Sequence, residues 1–214
     1  MRAPSARTWP LAHTAFAFAA LPAIGLAMRA VWPQQDDALI LLRECLMFFS
    51  AYGLWCSLRR NESLGWSAIG LAKPALKPTA LIVVIGLAVS AALIAVWDIV
   101  MDDLHIPLGG KSASVTMPTS LAVLLLMILR AGVLEEFFFR GVAMGRLEAA
   151  TGSRAIAAVL PLFVFAGLHW NTGLRNMLGA LALGLVLTVL YFWKRNLWAN
   201  IIVHFVIDLA PVLQ

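Results

Sequence analysis

The feature that most constrains this chain is a group of charged residues within a long apolar run. Glu135, Glu136 and Arg140 lie in a segment that begins near Leu121. On insertion scales each charged side chain at the centre of a membrane helix costs ~2.5–3.5 kcal/mol, so three cost roughly 8–10 kcal/mol. Because intramembrane ionisable residues usually serve a function, we interpret this group as a candidate site whose partners lie elsewhere in the sequence.

The composition places the chain in a membrane. It is 62% hydrophobic and 13% charged, whereas soluble domains are about half apolar and a quarter charged. The net charge of +5 does not indicate a nucleic-acid partner, because the basic residues lie mostly in short loops between apolar runs. We therefore predict a single integral membrane domain over residues 1–214, with the lipid bilayer as its surroundings.

The apolar runs predict an all-α bundle of about seven transmembrane helices. The runs are close to the ~20 residues that cross ~30 Å of hydrocarbon, although the fifth and the last are short. The catalytic core is predicted at about residues 118–213. Arg43 and Glu44 lie near the start of the second helix, where Arg43 is expected to extend to the headgroups. The predicted helices span about residues 11–31, 38–58, 79–101, 118–150, 155–170, 174–193 and 197–213.

The distribution of basic residues predicts an N-terminus in the cytoplasm. Cytoplasmic loops carry an excess of Lys and Arg, and this orientation places ten basic residues inside against three outside. The alanine-rich chain with short loops favours a bacterial cytoplasmic membrane. The first apolar run is interpreted as a retained helix rather than a cleaved signal peptide. The inside residues are Arg2, Arg7, Arg59, Arg60, Lys73, Lys77, Arg146, Arg154, Lys194 and Arg195, and the outside residues are Arg29, Lys111 and Arg175.

Helical spacing predicts which residues of the charged motif lie on the same face. Glu136 and Arg140 are four residues apart and share a helix face, so they are expected to form an ion pair. Glu135 points about 100° away, towards a different neighbour. One acid is therefore expected to have a structural role while the other faces a cavity. The alternative is a buried salt bridge without chemistry.

Two further motifs accompany this one on later helices. Phe165 lies one turn before His169 on the predicted fifth helix, and His204 lies one turn before Asp208 on the predicted seventh helix. A single histidine on an apolar helix is usually a satisfied core residue. Two histidines on two helices together with an acid pair on a third favour a functional site.

Two chemistries suit these groups. Glu135 can act as a general base on a water with the help of His169, while His204 and Asp208 polarise a carbonyl group. Alternatively, His169 and His204 can bind a divalent metal, most plausibly zinc, with Glu135 and Asp208 as one or two carboxylate ligands. The sequence spacing does not separate these mechanisms.

At this point the chain resembles the CPBP family of membrane proteases, which contains type II CAAX prenyl proteases and bacteriocin-processing or self-immunity proteins. The family pattern is E-E-x-x-x-R, then F-x-x-x-H, then H-x-x-x-N or D. The resemblance covers about residues 121–213. Asp208 stands where many members have Asn, which adds a negative charge to the site. The three elements occur here in order, as Glu135-Glu136 with Arg140, Phe165 with His169, and His204 with Asp208.

The resemblance implies an intramembrane endopeptidase that acts on a peptide or a membrane-anchored protein, near its C-terminus or membrane anchor. It implies catalytic roles for Glu135, His169, His204 and Asp208. It implies supporting roles for Glu136, Arg140 and Phe165.

Three other classes of membrane protein were considered. A non-catalytic immunity or scaffold protein that binds a peptide partner is the main alternative. A transporter is disfavoured because the sequence has no inverted repeat and no paired broken helices. Other intramembrane proteases are excluded because the sequence lacks H-E-x-x-H, G-x-S-G and G-x-G-D.

Overall fold

The computed structural model describes residues 8–34, 36–106 and 120–213. Over these residues the chain forms seven long helices and no strand, which confirms the predicted all-α class. Arg2, Arg7 and Lys111, which entered the orientation prediction, lie outside the described residues. The helices are α1 (Thr8–Val31), α2 (Asp37–Glu62), α3 (Leu76–Asp103), α4 (residues 121–151), α5 (Arg154–Gly167), α6 (Leu174–Lys194) and α7 (Leu197–Leu209).

Helix α4 is continuous but changes geometry along its length. It is α-helical over Leu121–Arg130, π-helical over Ala131–Met144 and α-helical again over Gly145–Thr151. The candidate site was predicted on an ordinary α-helix, so the wide π segment is a correction. Local π geometry frequently accompanies functional sites in helices.

The surface of the bundle suits a lipid environment. Within the part of the chain that the structure describes, five helical segments are long and apolar enough to cross a membrane: α1, α2, α3, α6, and α5 taken with the turn that follows it to Thr172. The charged motif interrupts α4, and α7 belongs to a shorter apolar segment, Leu197–Val212. Large apolar side chains such as Phe49 and Val84 are more than half exposed, while Glu136 and Arg140 are buried. The protein is therefore an integral membrane protein that buries the charged pair Glu136–Arg140 in its interior.

The π segment of α4 lies at the centre of the bundle. Nearly all of its residues from Glu136 to Met144 are buried. At Gly132, a Cβ atom would lie 3.1 Å from the backbone nitrogen of Phe205, so this glycine lets α7 pack directly against α4. This close approach brings the motif of α7 to the motif of α4.

The start of α7 is fixed by caps. The Asn196 side chain accepts a hydrogen bond from the backbone N–H of Ala199, and the N–H of Leu197 donates to the carbonyl of Gly70 at 2.9 Å. These bonds hold α7 at its N-terminus, and the helical spacing then sets the depth of His204.

Helix α5 ends earlier than predicted. It stops at Gly167, and His169 lies between it and a short 3₁₀ turn, Trp170–Thr172. The N–H of His169 bonds to the carbonyl of Ala166, three residues back, which tightens the chain out of the α-helix. The prediction that His169 lies within the fifth helix is therefore wrong, although its side chain still reaches the site.

Candidate active site

Glu136 is the structural anchor of the site. Its carboxylate is completely buried and accepts hydrogen bonds from three side chains on two helices. Arg140 Nη1 donates to Oε1 at 2.7 Å, and Asn200 Nδ2 donates to Oε2 at 3.0 Å. His204 Nδ1 lies 3.0 Å from Oε1. The predicted pairing of Glu136 with Arg140 is confirmed, and three partners compensate for the burial of this carboxylate.

Arg140 ties the anchor to two more helices. Its Nη2 atom donates to the carbonyl of Gly184 at 2.9 Å, and its guanidinium lies over the Phe165 ring, 4.6 Å from the centroid. Gly184 is required here because a Cβ atom would lie 3.3 Å from Arg140 Nη2 and 2.9 Å from Leu162 Cδ1. The α6 backbone can therefore approach closely enough to accept the bond.

Glu135 has a different environment from its neighbour. Its side chain is 16% exposed, and its Oε1 atom forms an ion pair with Arg130 Nη1 at 3.0 Å. Its other oxygen, Oε2, lies 3.9 Å from His204 Nε2. That separation is too long for a direct hydrogen bond and is one at which a bridging water should be considered.

His204 stands between the two acids. Because Nδ1 faces Glu136, the ring presents Nε2 to Glu135 at 3.9 Å and to Asp208 Oδ2 at 3.5 Å. With Nδ1–H donating to Glu136, a neutral ring offers Nε2 as an acceptor and a protonated ring offers it as a donor. The ring can therefore both accept and return a proton at one atom without turning.

His169 and Asp208 complete the group that the motifs predicted. His169 Nδ1 lies 2.9 Å from the carbonyl of Phe165, and the rings of these two residues are 4.9 Å apart. The bond fixes the ring and leaves Nε2 available. Asp208 is about one-third exposed and follows His204 by one helical turn. The structure thus brings all three motifs together around Phe165, whose ring also lies edge-on to His204 at 6.1 Å.

Two cavities meet at this group. One, of about 560 Å³, is lined by α1, α4 and the segment after α5, and contains Glu135 and Arg130. The other, of about 390 Å³, lies between α3, α6 and α7 and contains His204 and Asp208. Phe165 and His169 line both cavities. Glu135 and His204 therefore face each other across the boundary between two spaces large enough for side chains of a substrate.

Sequence reasoning missed one amide and three charged residues beside the site, of which two are buried and one is partly exposed. Arg130 bridges Glu135 and Glu44, and Glu44 is completely buried. Arg43 is also buried and bonds Glu44, so the expectation that it reaches the headgroups is wrong. The sequence signal that could have found Glu44 was its charge within an apolar run. Since α2 begins at Asp37, Glu44 lies about 10 Å along the helix, well inside the apolar segment. The amide is Asn200, which the motif spacing did not mark.

The arrangement does not form a ready metal site. Among the described residues, no three His, Cys, Asp or Glu side chains are placed to hold one ion. One oxygen of Glu135 is already paired with Arg130, and Nδ1 of each histidine already faces an oxygen acceptor. The zinc prediction therefore stays a prediction, and no step below depends on it.

Comparison with known proteins bears on the C-terminal part of the chain. Residues 117–210 match the family model described as Type II CAAX prenyl endopeptidase Rce1-like. No curated protein and no solved structure matches the chain. The matched segment contains all three motifs. The predicted resemblance to the CPBP family is thus confirmed by a match of residues 117–210 to the Rce1-like type II CAAX prenyl endopeptidases.

Proposed function

We propose that this protein is an intramembrane endopeptidase that hydrolyses a peptide bond of a membrane-associated protein or a peptide. The observation that carries the proposal is the 3.9 Å gap between Glu135 Oε2 and His204 Nε2, which opens to cavities on both sides. A base and a proton donor on either side of one water are the groups that peptide hydrolysis requires.

The mechanism starts with a water that lies beside this gap and bridges Glu135 Oε2 and His204 Nε2. Glu135 takes a proton from the water as the water oxygen forms a bond with the substrate carbonyl carbon. Protonated His204 donates a hydrogen bond from Nε2 to the developing oxyanion, while Glu136 accepts from Nδ1. The proton on Glu135 then passes to the amide nitrogen as the C–N bond breaks, giving a carboxylic acid and an amine. His169 and Asp208 line the space in which the amine leaves.

A substrate that lies across both cavities suits this mechanism. The cavities have mostly apolar walls and share Phe165 and His169 as lining residues, so substrate residues on the two sides of the scissile bond can each occupy one cavity while the bond itself lies beside Glu135. Apolar substrate residues on either side of the bond fit this lining.

A metal-bound water is the alternative mechanism. It would need the carboxylate of Glu135 or Asp208 to turn towards Nε2 of His169 and His204. Exhaustive chelation followed by metal analysis distinguishes the mechanisms. Full activity in protein that contains less than one metal per hundred molecules would exclude zinc, whereas loss and recovery with added zinc would support it.

The test of the function compares cells that make the wild-type protein with cells that make equal amounts of Glu135→Gln. New protein termini are mapped in the membrane and secreted fractions of both. Termini that require Glu135 would identify the substrate and the cleaved bond. Glu148→Gln is the matched control, because Glu148 pairs with Arg154 and Arg195 away from the cavities, and it should give the wild-type map.

Identical maps for wild type and Glu135→Gln under several growth conditions would contradict the proposal. They would favour the immunity or scaffold alternative, in which the motif has only a structural role. In that case Glu136→Gln would lower the amount of protein while Glu135→Gln would have no effect.

We also propose that the N-terminus is cytoplasmic and that the membrane is a bacterial inner membrane. The excess of basic residues at one end of the bundle supports this. With Cys45 and Cys56 replaced by Ala, a membrane-impermeant maleimide applied to intact cells should label Asp103→Cys and not Lys73→Cys. The opposite labelling would reverse the orientation.

A further inference from the structure

Arg130 connects the candidate base to a buried carboxylate on another helix. Its Nη1 atom lies 3.0 Å from Glu135 Oε1, and its Nε atom donates to Glu44 Oε2 at 2.7 Å. The two acids thus hold the guanidinium from opposite helices, α4 and α2. None of the three motifs includes Arg130 or Glu44.

Glu44 is itself held firmly. It is completely buried, and its other oxygen, Oε1, accepts from Arg43 Nε at 2.9 Å and from Arg43 Nη2 at 2.7 Å. Both carboxylate oxygens are therefore bonded to arginines. A carboxylate fixed in this way can define the position of Arg130, because two forked guanidinium groups restrict its rotation.

The position of Arg130 determines which oxygen of Glu135 is available. Arg130 occupies Oε1, and Oε2 is left facing His204 across the gap. Arg130 lines the same cavity as Glu135 and is 15% exposed, whereas Arg140, the partner of Glu136, is almost completely buried at 2%. Arg130 thus pairs with Glu135, the acid that faces a cavity, whereas Arg140 pairs with Glu136, the acid that is buried.

We propose that Arg130 is a positioning residue for the reaction, held in place by Glu44, and that it orients Glu135 so that Oε2 meets the attacking water. This inference rests on the proposed function, because it assigns Arg130 a role through Glu135. Because Arg130 acts through Glu135, its loss should slow the chemical step more than it weakens substrate binding in the cavity that Arg130 also lines.

The test uses the purified full chain in detergent with a substrate peptide found by terminus mapping. Arg130→Ala should lower kcat by about 10²-fold, the loss that a misplacement of about 1 Å can cause, and should change KM by a much smaller factor. Guanidinium ion at millimolar concentration should restore part of kcat, because the vacated space opens to the cavity. Urea, a neutral molecule of similar shape, should not restore it. Arg130→Lys should retain more activity than Arg130→Ala.

Glu44→Gln is the second variant and tests the other half of the arrangement. It leaves Arg130 paired with Glu135 but weakens its anchor, so a smaller decrease in kcat is expected than for Arg130→Ala. If Arg130→Ala does not fold, Arg130→Lys and Glu44→Gln still decide the question, since wild-type kcat in both would overturn the inference. Loss of activity without rescue, accompanied by a lower unfolding temperature, would assign Arg130 a structural role and also overturn it.

The outcome is separable from the proposed function. Cleavage by the wild type that is lost in Glu135→Gln establishes the function, and unchanged kcat in the Arg130 variants would then refute only the role of Arg130. Absence of Glu135-dependent cleavage refutes the function, and the inference about Arg130 fails with it.

Discussion

Two histidine–carboxylate clusters lie at different depths of the same bundle. At the end that carries Arg146, His13 is bonded through both ring nitrogens, to Ser57 Oγ at 2.8 Å and to Glu62 at 2.5 Å. Glu62 also accepts from Arg146, so α1, α2 and α4 are joined there. His204, within the bundle, is bonded to Glu136 through Nδ1 and has Nε2 at 3.9 and 3.5 Å from two further carboxylates.

The two clusters differ in which of their polar atoms have hydrogen-bond partners. The His13 cluster contains a serine, a histidine and an acid in series, the order found in hydrolase triads. Ser57, however, lies within α2, where its backbone N–H is part of the helix and cannot stabilise an oxyanion. The His204 cluster has one side satisfied and one side open to cavities. Ser57 also lines a cavity, of about 470 Å³, so a neighbouring cavity alone does not distinguish the two clusters. Both ring nitrogens of His13 are bonded, which indicates a structural role, whereas Nε2 of His204 lies 3.5 Å or more from the carboxylates that it faces, which suits chemistry.

The largest expected effect comes from removing each histidine in turn. His204→Ala should lower the rate of cleavage by roughly 10²–10⁴-fold, because general acid–base groups contribute on that scale. His13→Ala should leave the rate within a few-fold and lower the free energy of unfolding by ~1–3 kcal/mol, the cost of unmade buried hydrogen bonds. Single-turnover kinetics and unfolding in detergent measure both. Equal loss of activity in the two variants would contradict the distinction.

The second-largest expected effect distinguishes Glu135 from Glu136. Glu136→Gln leaves Arg140 buried without its anionic partner, so we expect a loss of ~3–5 kcal/mol in stability and poor recovery from the membrane. Glu135→Gln should keep wild-type stability and lose activity, because its partner Arg130 still pairs with Glu44. The yield and unfolding temperature of the two variants provide the measurement. A stable Glu136→Gln protein would show that the anchor is dispensable.

The third effect tests the packing that supports the anchor. In Gly184→Ala the new methyl group would contact Leu162 at 2.9 Å and Arg140 Nη2 at 3.3 Å, so overpacking should cost ~1–3 kcal/mol and reduce activity. Gly145→Ala is the control, because a Cβ there has no neighbour within 4 Å and should stabilise α4 by ~0.5–1 kcal/mol. Thermal unfolding of both variants gives the comparison, and similar behaviour would contradict it.

The smallest effect concerns a partly exposed ion pair at the C-terminal end of α4, beside Arg154 and Arg195. A hydrogen bond from Arg195 at 2.7 Å, assisted by Arg154, lowers the pKa of Glu148 below its usual value. Because the folded pKa is the lower one, the pair stabilises the protein above the unfolded pKa of about 4.3, and this is lost as pH falls through the folded value. The difference in unfolding free energy between wild type and Glu148→Gln should be under ~1 kcal/mol at pH 7.

That difference should disappear on acidification. A series of unfolding temperatures from pH 7 to pH 3 in detergent measures it. A stability difference that grows as pH falls would mean that another group dominates.

The sequence by itself determined the class of protein, the helices and the three motifs. Apolar runs of about 20 residues predict helices, because a helix satisfies every backbone hydrogen bond within one segment in lipid, so the approximate helix positions followed from the sequence. The pairing of Glu136 with Arg140 also followed, because residues four apart on a helix are neighbours. The resemblance to the CPBP family rested on these same positions and was confirmed by the match of residues 117–210.

Only the tertiary structure decided which groups meet across helices and which of their atoms stay open. The partners Glu44 and Arg130 are far apart in the chain and become neighbours when α2 packs beside α4. The early end of α5 places His169 beyond its helix, which helical periodicity does not register. Glu136 has hydrogen-bond partners for both carboxylate oxygens, whereas Oε2 of Glu135 faces a cavity. The two acids are adjacent in the sequence and of one type, so only the side chains that the fold places beside them make this difference.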